Sequence, residues 1–191
     1  MLKDLVLNNR SYRRFDQSCR ISIETLRGLI DLARQTPSSR NAQPLKYILV
    51  SSPEACEKVF PQLSWAGYLK EWGGPVEWER PTAYIIVLGD SKVSNNFSID
   101  PGIAAQTLLL GAVEQGLGGC ILASVKRDEV RALLEIPQQY EILYVIALGK
   151  PVEKVVIEPL AADGDIKYWR DERQVHHVPK RSLEEIVISE L

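Results

Sequence analysis

A helix that is apolar nearly all the way round belongs in the middle of a domain, and residues Asp100 to about Gln115 spell one. Ile103, Ala104, Leu108, Leu109, Leu110, Ala112 and Val113 cover its circumference, while Asp100-Pro101 opens it with an acid and a proline suited to a first turn. This is the central core helix. Ala83 to Gly89 reads as a buried strand, and Ile142 to Leu148 as a strand apolar on both faces, which places sheet as well as helix in the interior.

The remaining elements arrange themselves around that centre. Leu2, Leu5 and Val6 fall at helical spacing in a first helix that breaks down around Asn8 and Asn9. Ser22 is an N-cap for a second helix, with Leu26, Leu29, Ile30 and Ala33 on one stripe and a stop before Pro37. Tyr47 to Val50 is a short strand, and Ser52-Pro53-Glu54 opens a third helix with cap, proline and acid. Cys120 to Ala123 reads as a strand and Arg127 to Leu134 as an amphipathic helix. Residues 64 to 82 carry Trp65, Trp72 and Trp78 among glycines and prolines, an irregular aromatic excursion that is a candidate lid. From Pro151 the chain turns polar, with Ile186, Val187 and Ile188 offering one last strand. With no repeat, low-complexity tract or linker, residues 1–191 read as one domain whose C-terminal arm spans about 151–191.

Charge and cysteine usage exclude several functions. A formal net charge of -2 gives no global attraction for nucleic acid. Cys19, Cys56 and Cys120 are widely spaced and odd in number, so neither a disulfide framework nor a Cys-x-x-Cys metal pair follows, and a reducing cytoplasm fits. The apolar runs at 83–88 and 108–113 fall far short of the roughly 20 residues that span a bilayer, and Leu5, Val6 and Leu7 are too few for a signal-peptide core. A soluble, cytoplasmic chain is the expectation.

Three polar constellations remain. Arg10, Arg13 and Arg14 form a cluster that alone reads as a solvated face, but a second basic pair, Lys180-Arg181, follows Pro179, and guanidinium forks with an ammonium suit a phosphate dianion. The loop from Ser38 to Gln43, bounded by Pro37 and Pro44, offers donors and acceptors suited to the edge of a flat heterocycle, and equally to caps and turns. Gly116-Leu117-Gly118-Gly119 ends a helix and enters a strand, the reverse of a dinucleotide-binding order, and reads as a C-cap and tight turn. Adjacent His176 and His177 point to opposite sides of an extended chain, so no metal site is assigned. No P-loop, nucleophile elbow or general acid-base set is present, and no catalytic side chain is named. Hydride transfer through a cofactor fits such a chain, because it asks the protein mainly for binding, orientation and electrostatics.

Asn9-Arg10-Ser11-Tyr12-Arg13-Arg14-Phe15, Pro37-Ser38-Ser39-Arg40-Asn41-Ala42-Gln43-Pro44, and the stretch from Gly102-Ile103-Ala104-Ala105-Gln106 to Gly118-Gly119-Cys120 together resemble the FMN-dependent nitroreductase family. Tyr168-Trp169-Arg170 and the segment His176 to Leu183 are similar to a short subgroup of that family, so the likeness spans nearly the whole chain.

The resemblance implies an α+β fold, with a central mixed, mainly antiparallel sheet flanked by helices, in an intertwined homodimer with two FMN sites at its interface. By position, Arg10, Ser11 and Arg13 would contact FMN, Arg10 near the phosphate and Arg13 near the pyrimidine edge. Lys180 and Arg181 would complete the phosphate clamp. Ser38, Ser39, Asn41 and Gln43 would come from the other subunit, and Leu122, Ala123 and Ser124 would lie beside the ring. Many family members carry a second arginine where this chain has Asn9. The implied activity is ping-pong hydride transfer from NADH or NADPH to a nitroaromatic, quinone or similar electron-poor acceptor. The alternatives are flavin binding without nicotinamide turnover, and a specialised dehalogenase or flavin-cleaving enzyme.

Overall fold

In the computed structural model, which describes residues 1–161 and 164–191, the chain begins with α1 (Leu2–Asn8) and β1 (Phe15–Asp16). The Ser22 hydroxyl then accepts from the Thr25 amide and starts α2 (Ile23–Arg34), the cap read from the sequence. β2 (Leu45–Val50) and α3 (Pro53–Val59) follow, the latter capped by Ser52 with Pro53 at its first position. β3 (Ala83–Asp90), α4 (Asp100–Glu114), β4 (Gly118–Leu122), α5 (Arg127–Leu133) and β5 (Tyr140–Pro151) come next. The chain ends with β6 (Val155–Pro159), β7 (Trp169–Arg170), β8 (His176–Lys180) and α6 (Leu183–Ile186).

These elements fall into two compact units, residues 1–65 with 74–152, and residues 66–73 with 153–191. The first is built on a five-stranded sheet in which β1, β5, β3 and β2 run in order and β4 also pairs with β5. Every ladder in it is antiparallel. All eight residues of β3 are buried, so both of its faces are covered, as its continuous apolar run requires. On one face Ile85, Val87, Ile146 and Leu148 meet Leu26, Leu29 and Ala33 of α2 and Ala104, Ala105, Leu108 and Leu109 of α4. Each fully buried Leu or Ile there contributes about 1.5–3 kcal/mol. The all-apolar helix is thus the core helix that its composition predicts. Gly116 (φ +72°) ends it in the left-handed conformation expected of a glycine C-cap.

The second unit holds what the polar tail concealed. β6 pairs in parallel with β8, and β7 runs antiparallel on the other edge of β8. The last strand expected at Ile186 to Ile188 is absent. Leu183–Ile186 is instead a single helical turn, opened by the Ser182 hydroxyl accepting from the Glu185 amide, and Ile188 is fully exposed. A serine cap with acids in the first turn outweighs a β-branched run that has no neighbouring strand to pair with. The aromatic excursion is divided: Trp65 is buried in the first unit, Trp78 stands exposed in a 3-10 turn at Glu77–Glu79, and Trp72 belongs to the second unit. Among the described residues no helix is long and apolar enough to cross a membrane.

Candidate functional site

The arginine segment is fixed by the backbone on either side of it. α1 stops at Asn9, whose side-chain amide donates to Gln106 of α4 at 3.4 Å. Two residues on, Ser11 forms a parallel bridge with Gly119, and the Tyr12 amide donates to the Gly119 carbonyl at 3.0 Å. The bridge ties Ser11 and Tyr12 to the start of β4. It needs glycine at 119, where a Cβ would come within 2.5 Å of the Ala147 carbonyl oxygen.

The three arginines then separate by role. Arg10 donates through Nη2 to the Val6 carbonyl at 2.7 Å, while its buried Nε finds no acceptor among the described residues. A buried donor left without a partner costs about 1–3 kcal/mol. Arg13 is buried and donates to the Ser11 carbonyl at 3.3 Å. Arg14 makes a fork to Glu79, Nε to Oε2 at 2.7 Å and Nη2 to Oε1 at 2.6 Å, and so anchors the segment to the 3-10 turn at Glu77–Glu79. Ser11 is exposed.

Downstream of the bridge, Leu122 is buried at the end of β4, but Ala123 and Ser124 lie past the strand and are exposed, a correction to the strand expected over Cys120 to Ala123. The chain leaves the sheet because its carbonyls are claimed elsewhere. Ala123 accepts from Arg127 and from the Val125 amide, and Ser124 accepts from the Ser64 amide at 3.0 Å.

The polar loop sits at the other end of the core helix. Ser38 donates its hydroxyl proton to Asp100, the first residue of α4, and the Ser39 amide donates to the same carboxylate at 2.9 Å. The Ser38 hydroxyl also accepts from the Gln43 amide at 2.9 Å, and the Asn41 amide closes on the Ser38 carbonyl at 2.8 Å. Arg40, Asn41 and Gln43 have φ of 54°, 55° and 52°, a region that costs a non-glycine residue about 1–2 kcal/mol. Their side chains are exposed. Asp100 is buried, and a cleft of about 210 Å³ opens beside it, lined by Ser38, Gln43, Lys46, Tyr47 and Ala104 among others. Burial, and then the Asp100 charge, push the Tyr47 hydroxyl up to about 12, so it stays a neutral donor. Sequence reasoning took Asp100 for a helix start alone. Its signal was the acid itself, placed where an N-terminal carboxylate and a serine loop meet.

Lys180 and Arg181 belong to the second unit. Lys180 is exposed at the end of β8, Arg181 pairs with Glu185, and both line a cleft of about 540 Å³ with Glu158, Leu160 and Ser182. The adjacent histidines face opposite ways, as a strand requires. His176 is buried against Tyr168, while His177 stacks on Trp169 at 4.1 Å between Glu158 (3.0 Å) and Asp171 (3.5 Å). Beneath them, Arg170 pairs with fully buried Glu153 at 3.0 Å and lies over the Trp72 ring.

Comparison with known proteins places this architecture. The model of the nitroreductase family matches residues 6–150. An iodotyrosine deiodinase from Thermotoga neapolitana is 26% identical over 167 residues, 79% of this chain and 89% of that protein. The crystal structure of a candidate NADH dehydrogenase/NAD(P)H nitroreductase from Parabacteroides distasonis is 30% identical, covering 80% of this chain and 88% of the other, with a TM-score of 0.65. A candidate nitroreductase from Exiguobacterium sibiricum, solved in complex with FMN, is 20% identical and shares the fold with a TM-score of 0.67 over 80% of this chain and 89% of its own.

Proposed function

The chain belongs to the nitroreductase family and is an oxidoreductase, and from that premise we propose that it binds FMN and carries hydrides from NADH or NADPH to a nitroaromatic, quinone or similar electron-poor acceptor. The observation that carries the reading is the buried Arg10 Nε, which has no acceptor among the described residues, in a segment bridged to β4. A phosphate oxygen fits that donor. The residues present suit the cofactor in other respects too: the chain supplies cations at Arg10, Arg13, Lys180 and Arg181 for an anionic ligand, and amide side chains at Asn41 and Gln43 for the edge of a heterocycle.

When bound, FMN supplies two-electron chemistry that alternates between a nicotinamide donor and the acceptor. The chain's own work is binding and electrostatics. Arg10 and Ser11 would hold the phosphate end, and Lys180 and Arg181 are the further cations proposed for it. Arg13, buried and permanently charged, holds positive charge beside the pyrimidine edge, which favours the form in which electrons have accumulated. Leu122, Ala123 and Ser124 would lie beside the ring. Ser39, Asn41 and Gln43 reach a neighbouring copy's site in a homodimer, around which the arm from about 151 to 191 wraps. Arg14 takes no part in the ligand, since its guanidinium is committed to Glu79.

Anaerobic mixing tests this reading. Purified protein should be yellow and should bleach with NADH or NADPH, then recover its colour on adding a nitroaromatic or quinone. Colourless protein that cannot be loaded with FMN contradicts it, and FMN that stays oxidised under excess donor replaces it with flavin binding alone. The likeness to an iodotyrosine deiodinase favours one further acceptor class, halogenated aromatics. Halide release from such a compound, followed by product analysis, would establish it.

A further inference from the structure

We propose that Asp100 is a positioning residue for the Ser38–Gln43 loop, and that the Ser38 hydroxyl belongs to this latch instead of touching the flavin. The inference rests on the FMN reading above. A hydroxyl has one proton to give, and Ser38 gives it to Asp100 while accepting from the Gln43 amide. The second carboxylate oxygen takes the Ser39 amide. One side chain therefore ties down the entry of the loop directly and its exit through Ser38.

Between those ties, Arg40, Asn41 and Gln43 occupy left-handed backbone conformations that a free loop would abandon. The anchor itself cannot drift. Asp100 is buried in the first turn of the fifteen-residue core helix, and the Tyr144 hydroxyl donates to the carbonyl of the next residue, Pro101. Helix start and donors together carry the carboxylate charge. What the latch leaves exposed are the Asn41 and Gln43 side chains, the groups assigned to a neighbouring flavin. A loop held ready binds at its full intrinsic affinity, whereas a loop competent a tenth of the time binds about tenfold more weakly.

Flavin-free full-length protein carrying Ser38→Ala, Ser38→Thr or Asp100→Asn tests the latch by two independent readouts. Ser38→Ala and Asp100→Asn should speed trypsin cleavage after Arg40 and hydrogen exchange at the Gln43 amide, while exchange in β3 stays slow and reports an intact core. Both should raise the dissociation constant for FMN by about tenfold. Ser38→Thr, which keeps the hydroxyl, should stay near wild type in both readouts. Unchanged cleavage and exchange in the first two variants would overturn the latch, as would a loosened loop that binds FMN as tightly as wild type. If wild-type protein itself takes up no FMN, the flavin reading falls, and cleavage and exchange still decide whether Asp100 holds the loop.

Discussion

Gly28 and Gly119 are both glycines of the first unit, and their surroundings give them opposite weights. At Gly119 a Cβ meets the Ala147 carbonyl at 2.5 Å, and side-chain carbons of Leu109 and Leu148 at 2.8 Å. A backbone oxygen inside a sheet cannot step aside, so Gly119→Ala should cost about 1–3 kcal/mol and displace the Ser11 bridge. At Gly28, within α2, a Cβ meets nothing within 4 Å, and Gly28→Ala should stabilise by about 0.5–1 kcal/mol. Denaturant midpoints measure both, and a neutral Gly119→Ala would show that the bridge is not tightly packed. Composition offers no way to tell these glycines apart, because the difference lies in atoms far along the chain. The same holds for the arginines. The sequence shows three within five positions but not that Arg14 is spent on Glu79, 65 residues away, while Arg10 Nε is buried with no acceptor among the described residues. Asp100 was legible as a helix start and illegible as a loop anchor for the same reason.

Elements with a strong local cause were readable. The Ser22 and Ser52 caps, the stripe on α2, the all-apolar α4 and the two apolar strands stand where patterning and caps put them, because each signal is contained in one short run of consecutive residues. The β6-β8-β7 sheet was not. Its strands are short and half-exposed, and a parallel pair leaves no hairpin signal. What holds its surface is a cluster of charged and aromatic side chains that only the pairing brings together. The Trp169 indole donates to Glu158 at 2.9 Å, and with His177 it keeps the Glu158 carboxyl below the usual range. The Val175 amide, foremost, does the same for Asp171, with His177 and Arg173 adding to it. A depressed folded pKa means that the unfolded chain takes up protons first as pH falls. The contribution of both carboxylates is therefore present above about pH 4, the ordinary carboxylate range, and is lost as pH drops through their lower folded values. Protection factors of the His176–Lys180 amides should fall between neutral and acid pH, and Glu158→Gln should flatten that dependence. Protection that rises as pH falls would contradict the assignment.

At the scale of the whole molecule, the nitroreductase match spans residues 6–150 and leaves most of the second unit beyond it. The α+β fold and the oxidoreductase class were legible because three ordered motifs lie within that span. The acceptor was not, because substrate choice is set by loops whose spatial neighbours sequence does not fix. The central proposal is narrower than the acceptor: the arginine segment bridged to β4 at Ser11 holds a flavin phosphate through Arg10. Titrating flavin-free protein with FMN and following flavin fluorescence tests it directly, with Arg10→Ala measured alongside. The account predicts saturable uptake by wild type, and a loss of about 1.5–3 kcal/mol in Arg10→Ala, the scale of a charge-assisted hydrogen bond. No uptake by wild type, or equal affinity in the two proteins, would contradict it.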